Sequence, residues 1–162
     1  MRSYIVITTI NFPEVVSQYV ANLEHFGHEK DVGIIVIGDL KTPEEAKDIT
    51  SRSFRHDTEV LYYDIPAQEQ WLQRFPKLAK IVPYNSDNRR NIGYLIAAER
   101  GAEIIISVDD DNFPSAEDFY GIHSIVGTTG QFDLTASSLG WFNNCSLMET
   151  NPPRTIYPRG FP

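Results

Sequence analysis

The clearest indication of the fold lies in the segment Gly101-Ala102-Glu103-Ile104-Ile105-Ile106-Ser107-Val108-Asp109-Asp110-Asp111-Asn112. The short, mostly β-branched run over residues 104–108 is typical of a strand that is buried on both faces of a parallel sheet. Gly101 is expected to end a preceding helix, and Pro114 is expected to stop the extended run. Three aspartates therefore follow a predicted central strand, at the edge where open α/β sheets bind their ligands.

These three aspartates have two interpretations. Adjacent carboxylates repel one another unless a positive group joins them. Hard cations such as Mg²⁺ or Mn²⁺ are held by carboxylate oxygens, commonly together with substrate phosphates. The alternative is an acidic, solvated turn, because Asp and Asn are ordinary turn residues. The position directly after a buried strand favours the metal site.

Length and composition limit the class of protein. A chain of 162 residues predicts one domain, residues 1–162, with one sizeable core. A net charge of −8 argues against a general nucleic-acid or membrane-surface binder. Cys145 is the only cysteine, which excludes an intramolecular disulfide and a cysteine zinc cluster. The apolar runs are too short for a membrane span or a signal peptide, so we expect a cytoplasmic protein.

The remaining pattern predicts four strand–helix steps. Strands are predicted at residues 4–9, 34–37, 60–63 and 104–108, with a further strand at 132–138. Helices are predicted at residues 13–26, from 43 onward, at 68–82 with a break at Pro76, near 86–100, and at 115–126. Thr42 and Glu45 are expected to form a capping box, and Ser115 to cap the last helix. No GxGxxG or GxxxxGK[ST] motif occurs, which leaves an α/β, Rossmann-like fold with a mostly parallel central sheet flanked by helices.

Polar residues also follow the first two predicted strands. Thr8, Thr9 and Asn11 lie at the end of the first, although helix capping alone would explain Asn11. Asp39 follows the second strand and shares the edge of the aspartate cluster if the sheet is parallel. A carboxylate there could bond to a ribose or a base.

Arg89 and Arg90 lie at the start of a predicted helix, where the helix dipole already places partial positive charge. Cations there cost some tenths of a kcal/mol, up to about 1. A broken local rule without local compensation indicates function. Backbone N–H groups and two guanidiniums would together bind a phosphate. The alternative is a surface arginine pair balanced by Asp87 and solvent.

An acidic metal site, an arginine pair and Asp39 together suggest a nucleoside diphosphate ligand. Two reactions fit this combination. In a glycosyltransferase the metal acts as a Lewis acid on the leaving diphosphate, and in a nucleotidyltransferase it assists attack on an α-phosphate.

Four motifs occur in order along the chain: Ile7-Thr8-Thr9-Ile10-Asn11, Val36-Ile37-Gly38-Asp39-Leu40-Lys41-Thr42-Pro43, Arg90-Asn91-Ile92-Gly93-Tyr94 and Asp109-Asp110-Asp111-Asn112. Together they resemble the GT-A glycosyltransferases and, more narrowly, the STELLO-type glycosyltransferases. They are also similar, more distantly, to the reversibly glycosylated polypeptides, which include UDP-arabinopyranose mutases. The segment Tyr157-Pro158-Arg159-Gly160-Phe161-Pro162 also resembles the STELLO-type pattern.

The resemblance implies roles for particular residues. Asp109 to Asp111 match the DXD position, which implies a Mn²⁺ or Mg²⁺ ion held by Asp109 and Asp111. These two aspartates and Arg90 are the expected catalytic residues. A nucleotide-sugar donor, with a UDP-sugar favoured, is expected to contact Thr8, Thr9, Asn11, Asp39, Arg89, Arg90, Asn91, Asp109 and Asp110.

The sequence therefore predicts a metal-dependent glycosyltransferase of the GT-A type, acting on an unknown acceptor. The alternatives are a UDP-sugar mutase and a non-catalytic nucleotide-sugar-binding module. GT-A domains are normally longer than this chain, so we expect the acceptor side to be incomplete. The sequence leaves open the catalytic base, the stereochemical outcome and the oligomeric state.

Overall fold

A computed structural model of the chain describes residues 2–53, 57–131, 138 and 142–157. The strands are β1 (Ser3–Thr9), β2 (Val32–Gly38), β3 (Val60–Tyr63) and β4 (Ile104–Asp109). The α-helices are α1 (Val15–His25), α2 (Asp48–Ser53), α3 (Ile65–Leu72), α4 (Pro76–Ala79), α5 (Arg90–Glu99) and α6 (Phe119–His123). Short 3-10 helices cover Glu44–Lys47, Asp87–Arg89 and Asn144–Leu147.

The four strands form one parallel sheet in the order β3-β2-β1-β4. Thr8 of β1 lies opposite Ile37 of β2 on one side and Asp109 of β4 on the other. All carboxyl ends therefore meet at one edge. The predicted Rossmann-like α/β class, with a parallel sheet flanked by helices, is confirmed.

The two middle strands are covered on both faces, which explains their continuous apolar sequences. Ile5 and Ile7 pack with α1 and α6, whereas Tyr4 and Val6 point to the opposite face and pack with α3 and α5. Every residue of β2 is buried in the same two-sided way. A strand of this kind carries no polar face, so its polar residues stand only at its ends.

Helices α1 and α5 each bury one stripe against this sheet. In α1 this stripe includes Val16, Tyr19, Val20 and Leu23, which are all buried. In α5 it consists of Ile92, Gly93, Ile96 and Ala97, whereas Leu95 is 42% exposed.

The prediction that the strand before the aspartates is central is wrong for the sheet of the described residues. There β4 pairs only with β1 and alternates between buried and exposed residues. Ile105 is 38% exposed for this reason. The apolar run did predict a strand, but the same composition fits a central and an edge position.

Two predicted helix caps are also wrong. Thr42 caps no helix, because its hydroxyl accepts a bond from the Asp39 N–H and donates to the Thr9 carbonyl, both at 2.7 Å. Helix α6 begins at Phe119 and is capped by Asp118, whose carboxylate accepts from the Gly121 N–H at 2.8 Å. Local capping rules cannot anticipate a tertiary partner that binds the same hydroxyl.

The chain divides into two compact units, Met1–Gly127 and Thr128–Pro162. The first contains the sheet and its helices. In the second, Asn143 caps the Asn144–Leu147 turn and donates its side-chain N–H to the Ile156 carbonyl at 2.6 Å. The predicted strand at 132–138 and the segment 158–162, with Arg159, lie outside the described residues, apart from Ser138. That residues 1–162 make one domain stays a prediction.

None of the helices in the described part of the chain has the length and apolar character needed to cross a membrane. Cytoplasmic localisation stays a prediction.

Helix α5 packs closely on the sheet at Gly93, and a substitution at this position would measure how tight the contact is. A Cβ at this position would lie 2.5 Å from Val6 Cγ1 and 3.1 Å from Ile37 Cγ1. We expect Gly93→Ala to lower the free energy of unfolding by about 1 to 3 kcal/mol through overpacking, measured by urea denaturation.

Helix propensity acts in the opposite direction, since Ala is favoured over Gly by about 1 kcal/mol. The exposed Ala98→Gly variant of the same helix measures that propensity alone. A Gly93→Ala variant as stable as the parent chain, or more stable, would show that the contact is not tight.

Candidate functional site

The carboxyl edge of the sheet carries a pocket of about 530 Å³ within the first unit. Ligand sites of small molecules commonly measure roughly 300–1,000 Å³. The pocket is lined by Thr8, Thr9, Ile10, Ile37, Gly38, Asp39, Asn85, Ser86, Asp87, Arg89, Arg90, Asp109, Asp110 and Asp111. Because the strands run in the order β2-β1-β4, Asp39 and the aspartate cluster lie on either side of the threonines.

Most of the predicted site residues meet in this pocket, and two do not. Asn11 lies behind the aspartates, where its side-chain N–H donates to Asp110 Oδ2 at 3.2 Å. Asn91 lies on the exposed side of α5 and donates to the Asn88 carbonyl at 2.8 Å. Asn11 therefore supports the site indirectly, and Asn91 stays a prediction without a place in the pocket lining.

Two contacts hold the aspartate turn in place from behind. The Thr9 hydroxyl donates to Asp110 Oδ2 at 2.6 Å, which ties the end of β1 to the turn after β4. The Tyr19 hydroxyl of α1 donates to the Asn112 carbonyl at 2.8 Å. Asp109 and Asp111 remain exposed toward the pocket. Asp110 thus positions the turn, and all three aspartates line the pocket.

Arg90 is bound to the aspartate side of the pocket. Its guanidinium forms an ion pair with Asp109 and donates to the hydroxyls of Thr8 and Ser107, both at 3.2 Å. Burial alone would lower the pKa of Arg90, but the hydrogen bond and charge of Asp109 more than offset this and raise that pKa above its ordinary value. The charge of Arg90 is therefore partly neutralised by the chain itself.

Arg89 is in a different environment. It is 2% exposed, and its guanidinium donates twice to Gln68 Oε1, at 2.9 and 2.6 Å, and once to the Pro83 carbonyl at 3.4 Å. The guanidinium also stacks over the Tyr84 ring, 4.3 Å from the ring centroid. No carboxylate of the described residues forms an ion pair with it. A buried positive charge held only by neutral groups is unusual, because burying an ion without a counter-ion costs several kcal/mol.

Asp39 is 8% exposed and both its carboxylate oxygens accept backbone hydrogen bonds. The N–H groups of Leu40 and Ser86 donate to it at 2.7 and 3.1 Å. These bonds orient the carboxylate at the pocket floor and join the end of β2 to the loop before Arg89. The predicted strand-end carboxylate is therefore brought to the same edge as the aspartate cluster.

Sequence reasoning missed several pocket residues. Asn85, Ser86 and Asp87 form the loop wall, and Gln68 lies behind Arg89. Asn85 adopts a left-handed conformation, with φ of 51°, which Asn tolerates better than most residues. An asparagine in a loop is compatible with such a turn but does not predict a pocket. Nothing in the sequence relates a glutamine of α3 to an arginine 21 residues later.

The pocket as a whole is acidic. Five aspartates and two arginines line it, which leaves a formal charge of −3. A pocket of this charge repels an anionic ligand such as a diphosphate, and a bound divalent cation would reduce the formal charge to −1.

The fit of these residues to a metal ion is partial. Among residues 2–53, 57–131, 138 and 142–157, no three His, Cys, Asp or Glu side chains are grouped to hold one. Asp111 and the second oxygen of Asp109 remain available as hard oxygen ligands. Mg²⁺ typically takes one or two carboxylates and completes its shell with water and substrate phosphates. The aspartates fit such a shared site and do not form a complete protein cage.

Comparison with known proteins finds a distant structural similarity and no match in sequence. No protein-family model matches the sequence, and no curated protein matches it either. Among solved structures the chain is similar to S. aureus TarS, with a TM-score of 0.42 and 13% identity. The alignment covers 78% of this chain and 19% of that chain, so this chain spans about a fifth of its length. The resemblance to the STELLO-type proteins and reversibly glycosylated polypeptides stays a prediction.

Tyr19 gives the turn a measurable pH dependence. Burial raises the pKa of its hydroxyl from 10.0 to about 12. Between these values only the unfolded chain loses the proton, so stability is complete below pH 10 and falls as the pH rises toward 12. The loss attributable to Tyr19 should reach roughly 2 to 3 kcal/mol.

Urea unfolding of the chain and of Tyr19→Phe at several alkaline pH values measures this loss. The variant should be less stable near neutral pH by about 1 kcal/mol, because it lacks the bond to Asn112. It should also lose less stability at high pH than the parent chain. Equal alkaline slopes in the two proteins would contradict the assignment to Tyr19.

Proposed function

We propose that this chain is a metal-dependent glycosyltransferase domain of the GT-A type, which takes its sugar from a nucleotide-diphosphate donor. One observation carries the proposal. A single pocket at the carboxyl edge of a parallel sheet is lined by the aspartates after β4, two arginines and the carboxylate after β2. This set offers carboxylates for a cation, guanidinium groups for a diphosphate and a further carboxylate for a nucleoside.

Asp39 and the threonines would recognise the nucleoside. The Asp39 carboxylate lines the pocket and is held by two backbone N–H groups, one on each oxygen, so each oxygen keeps a lone pair for a further donor. A carboxylate held in this way would accept hydrogen bonds from a ribose hydroxyl or from the ring N–H of uracil. This supports a UDP-sugar as the favoured donor.

Arg89 and Arg90 would bind the diphosphate and stabilise it as it leaves. Developing negative charge on the leaving group is best stabilised by donors that are already in position. Arg89 is held rigidly by Gln68 and Tyr84, whereas Arg90 shares its charge with Asp109. Arg89 would therefore act as a constant positive charge, and Arg90 would respond to what binds at Asp109.

Asp111 and Asp109 would hold a Mn²⁺ or Mg²⁺ ion, which when bound supplies Lewis-acid activation of the diphosphate. The formal charge of −3 in the pocket supports this requirement, because the two arginines alone leave it negative. The Thr9–Asp110 and Tyr19–Asn112 hydrogen bonds would keep the two ligating aspartates in position.

Calorimetric titration with UDP, in Mn²⁺ and in EDTA, tests the donor site. We expect binding in Mn²⁺ and a loss of affinity of about tenfold or more in EDTA. Asp111→Asn should weaken binding in Mn²⁺ by a similar factor, because it replaces a charged carboxylate ligand with a neutral amide of the same size.

Glu103→Gln is the matched control, since it removes the same charge from an exposed residue at the opposite end of β4. Its affinity for UDP should stay within about twofold of the parent chain. UDP binding that is equally strong in EDTA would exclude metal dependence, and no nucleotide binding under either condition would exclude the donor site.

Incubation with a panel of UDP-sugars, followed by chromatography of the products, distinguishes a glycosyltransferase from a UDP-sugar mutase and from a non-catalytic module. Transfer or hydrolysis releases UDP, and we expect this release to require Mn²⁺ and to be lost in Asp111→Asn. Interconversion of the sugar without release of UDP would indicate a UDP-sugar mutase. Affinity with neither reaction would indicate a non-catalytic binding module.

A further inference from the structure

Gln68 is a buried glutamine whose hydrogen-bonding capacity is fully used. It is 0% exposed. Its Nε2 donates to the carbonyls of Gly38 and Tyr63, both at 2.7 Å, and its Oε1 accepts from Nε and Nη2 of Arg89. An amide has two N–H groups and two acceptor lone pairs, and here each has a partner. Only one orientation of the side chain satisfies all four bonds.

The two carbonyls locate this glutamine on the sheet. Gly38 is the last residue of β2 and Tyr63 is the last residue of β3. Asp64 caps α3 by accepting from the Ala67 N–H at 2.8 Å, which places Gln68 in the first turn of that helix. Gln68 therefore connects the carboxyl ends of two neighbouring strands to the guanidinium of Arg89.

The choice of glutamine over glutamate at position 68 affects the charge of Arg89. A glutamate at this position would also accept from Arg89, but it would neutralise the guanidinium and place oxygens against two carbonyl oxygens. The neutral amide holds Arg89 and leaves its positive charge uncompensated. Three of the five guanidinium N–H groups are bonded, to Gln68 and Pro83, so two remain for another acceptor.

We propose that Gln68 is a positioning residue, which holds Arg89 so that its free N–H groups and its full charge serve a phosphate group of the ligand. The inference rests on the proposed function, because it takes the ligand to be a nucleoside diphosphate. Arg89 lines the pocket and lacks an ion-pair partner among the described residues, so a phosphate there supplies the counter-charge that the chain does not. A purely structural Gln68 would join β2, β3 and α3 and would not discriminate between charged and neutral ligands.

The test compares UDP with uridine, by calorimetry in Mn²⁺, on the full chain. Gln68→Met keeps the volume of the side chain and removes all four hydrogen bonds. We expect it to weaken UDP binding by about tenfold or more and uridine binding by less than about threefold. Gln70→Met makes the same substitution on the exposed side of α3 and should change neither affinity.

A double-mutant cycle shows whether Gln68 acts through Arg89. Arg89→Met should lose as much UDP affinity as Gln68→Met or more, and the double variant should lose no more than Arg89→Met alone. Equal weakening of UDP and uridine by Gln68→Met, or losses that add in the double variant, would overturn the proposal and leave a structural role.

If Gln68→Met does not fold, Arg89→Lys provides the test. It keeps the positive charge but cannot make the paired bonds to Gln68 Oε1. We expect UDP affinity to fall by about tenfold, less than in Arg89→Met, because the charge is kept but is no longer held in place. Affinity equal to that of the parent chain would show that positioning by Gln68 is not needed.

Pyrophosphate with Mn²⁺ separates this inference from the proposed function. A parent chain that binds pyrophosphate but not UDP, with the binding lost in Gln68→Met, would refute the nucleotide donor and support the positioning role. A chain that binds UDP with unchanged affinity in Gln68→Met would refute only the positioning role. Failure to bind either ligand would overturn both.

Discussion

Parallel pairing of β1 with both of its neighbours is the constraint on which the remaining structure depends. The register places Thr8 beside Asp109 on one side and beside Ile37 on the other, so the residues after three strands emerge together at one edge. Shifting one strand by a single residue would exchange the faces of all its side chains. The burial of β1 and β2 on both faces opposes such a shift, because each residue already fills a place against a helix.

The two arginines at this edge of the sheet lie in different electrostatic environments. Arg90 is paired with Asp109, whereas Arg89 is buried on neutral acceptors, although the two residues are adjacent in sequence. The separation arises because Arg89 ends the 3-10 turn and Arg90 begins α5, so their side chains leave in different directions. The pocket therefore contains one arginine whose charge is compensated by a carboxylate and one whose charge is not.

The features of the fold that could be predicted from the sequence are those set by neighbouring residues, and not those set by contacts between distant parts of the chain. The β-branched runs at Ile34–Ile37 and Ile104–Val108 predicted strands correctly, since burial of an apolar strand is visible in its own composition. The capping box at Thr42 was wrong, because its hydroxyl binds backbone groups of Asp39 and Thr9, the latter 33 residues away. The central position of β4 was wrong for a related reason, since composition does not encode which strand lies beside it.

The same contrast between local and long-range determinants applies to the candidate site. Local composition and periodicity were enough to predict that carboxylates and hydroxyls follow the strands and that two arginines lie at the start of a helix. The pairing of Arg90 with Asp109 and the bonds from Arg89 to Gln68 became visible only in the folded chain. These contacts join residues 19 and 21 positions apart, and the packing of α3 and α5 on one face of a parallel sheet brings them within hydrogen-bonding distance.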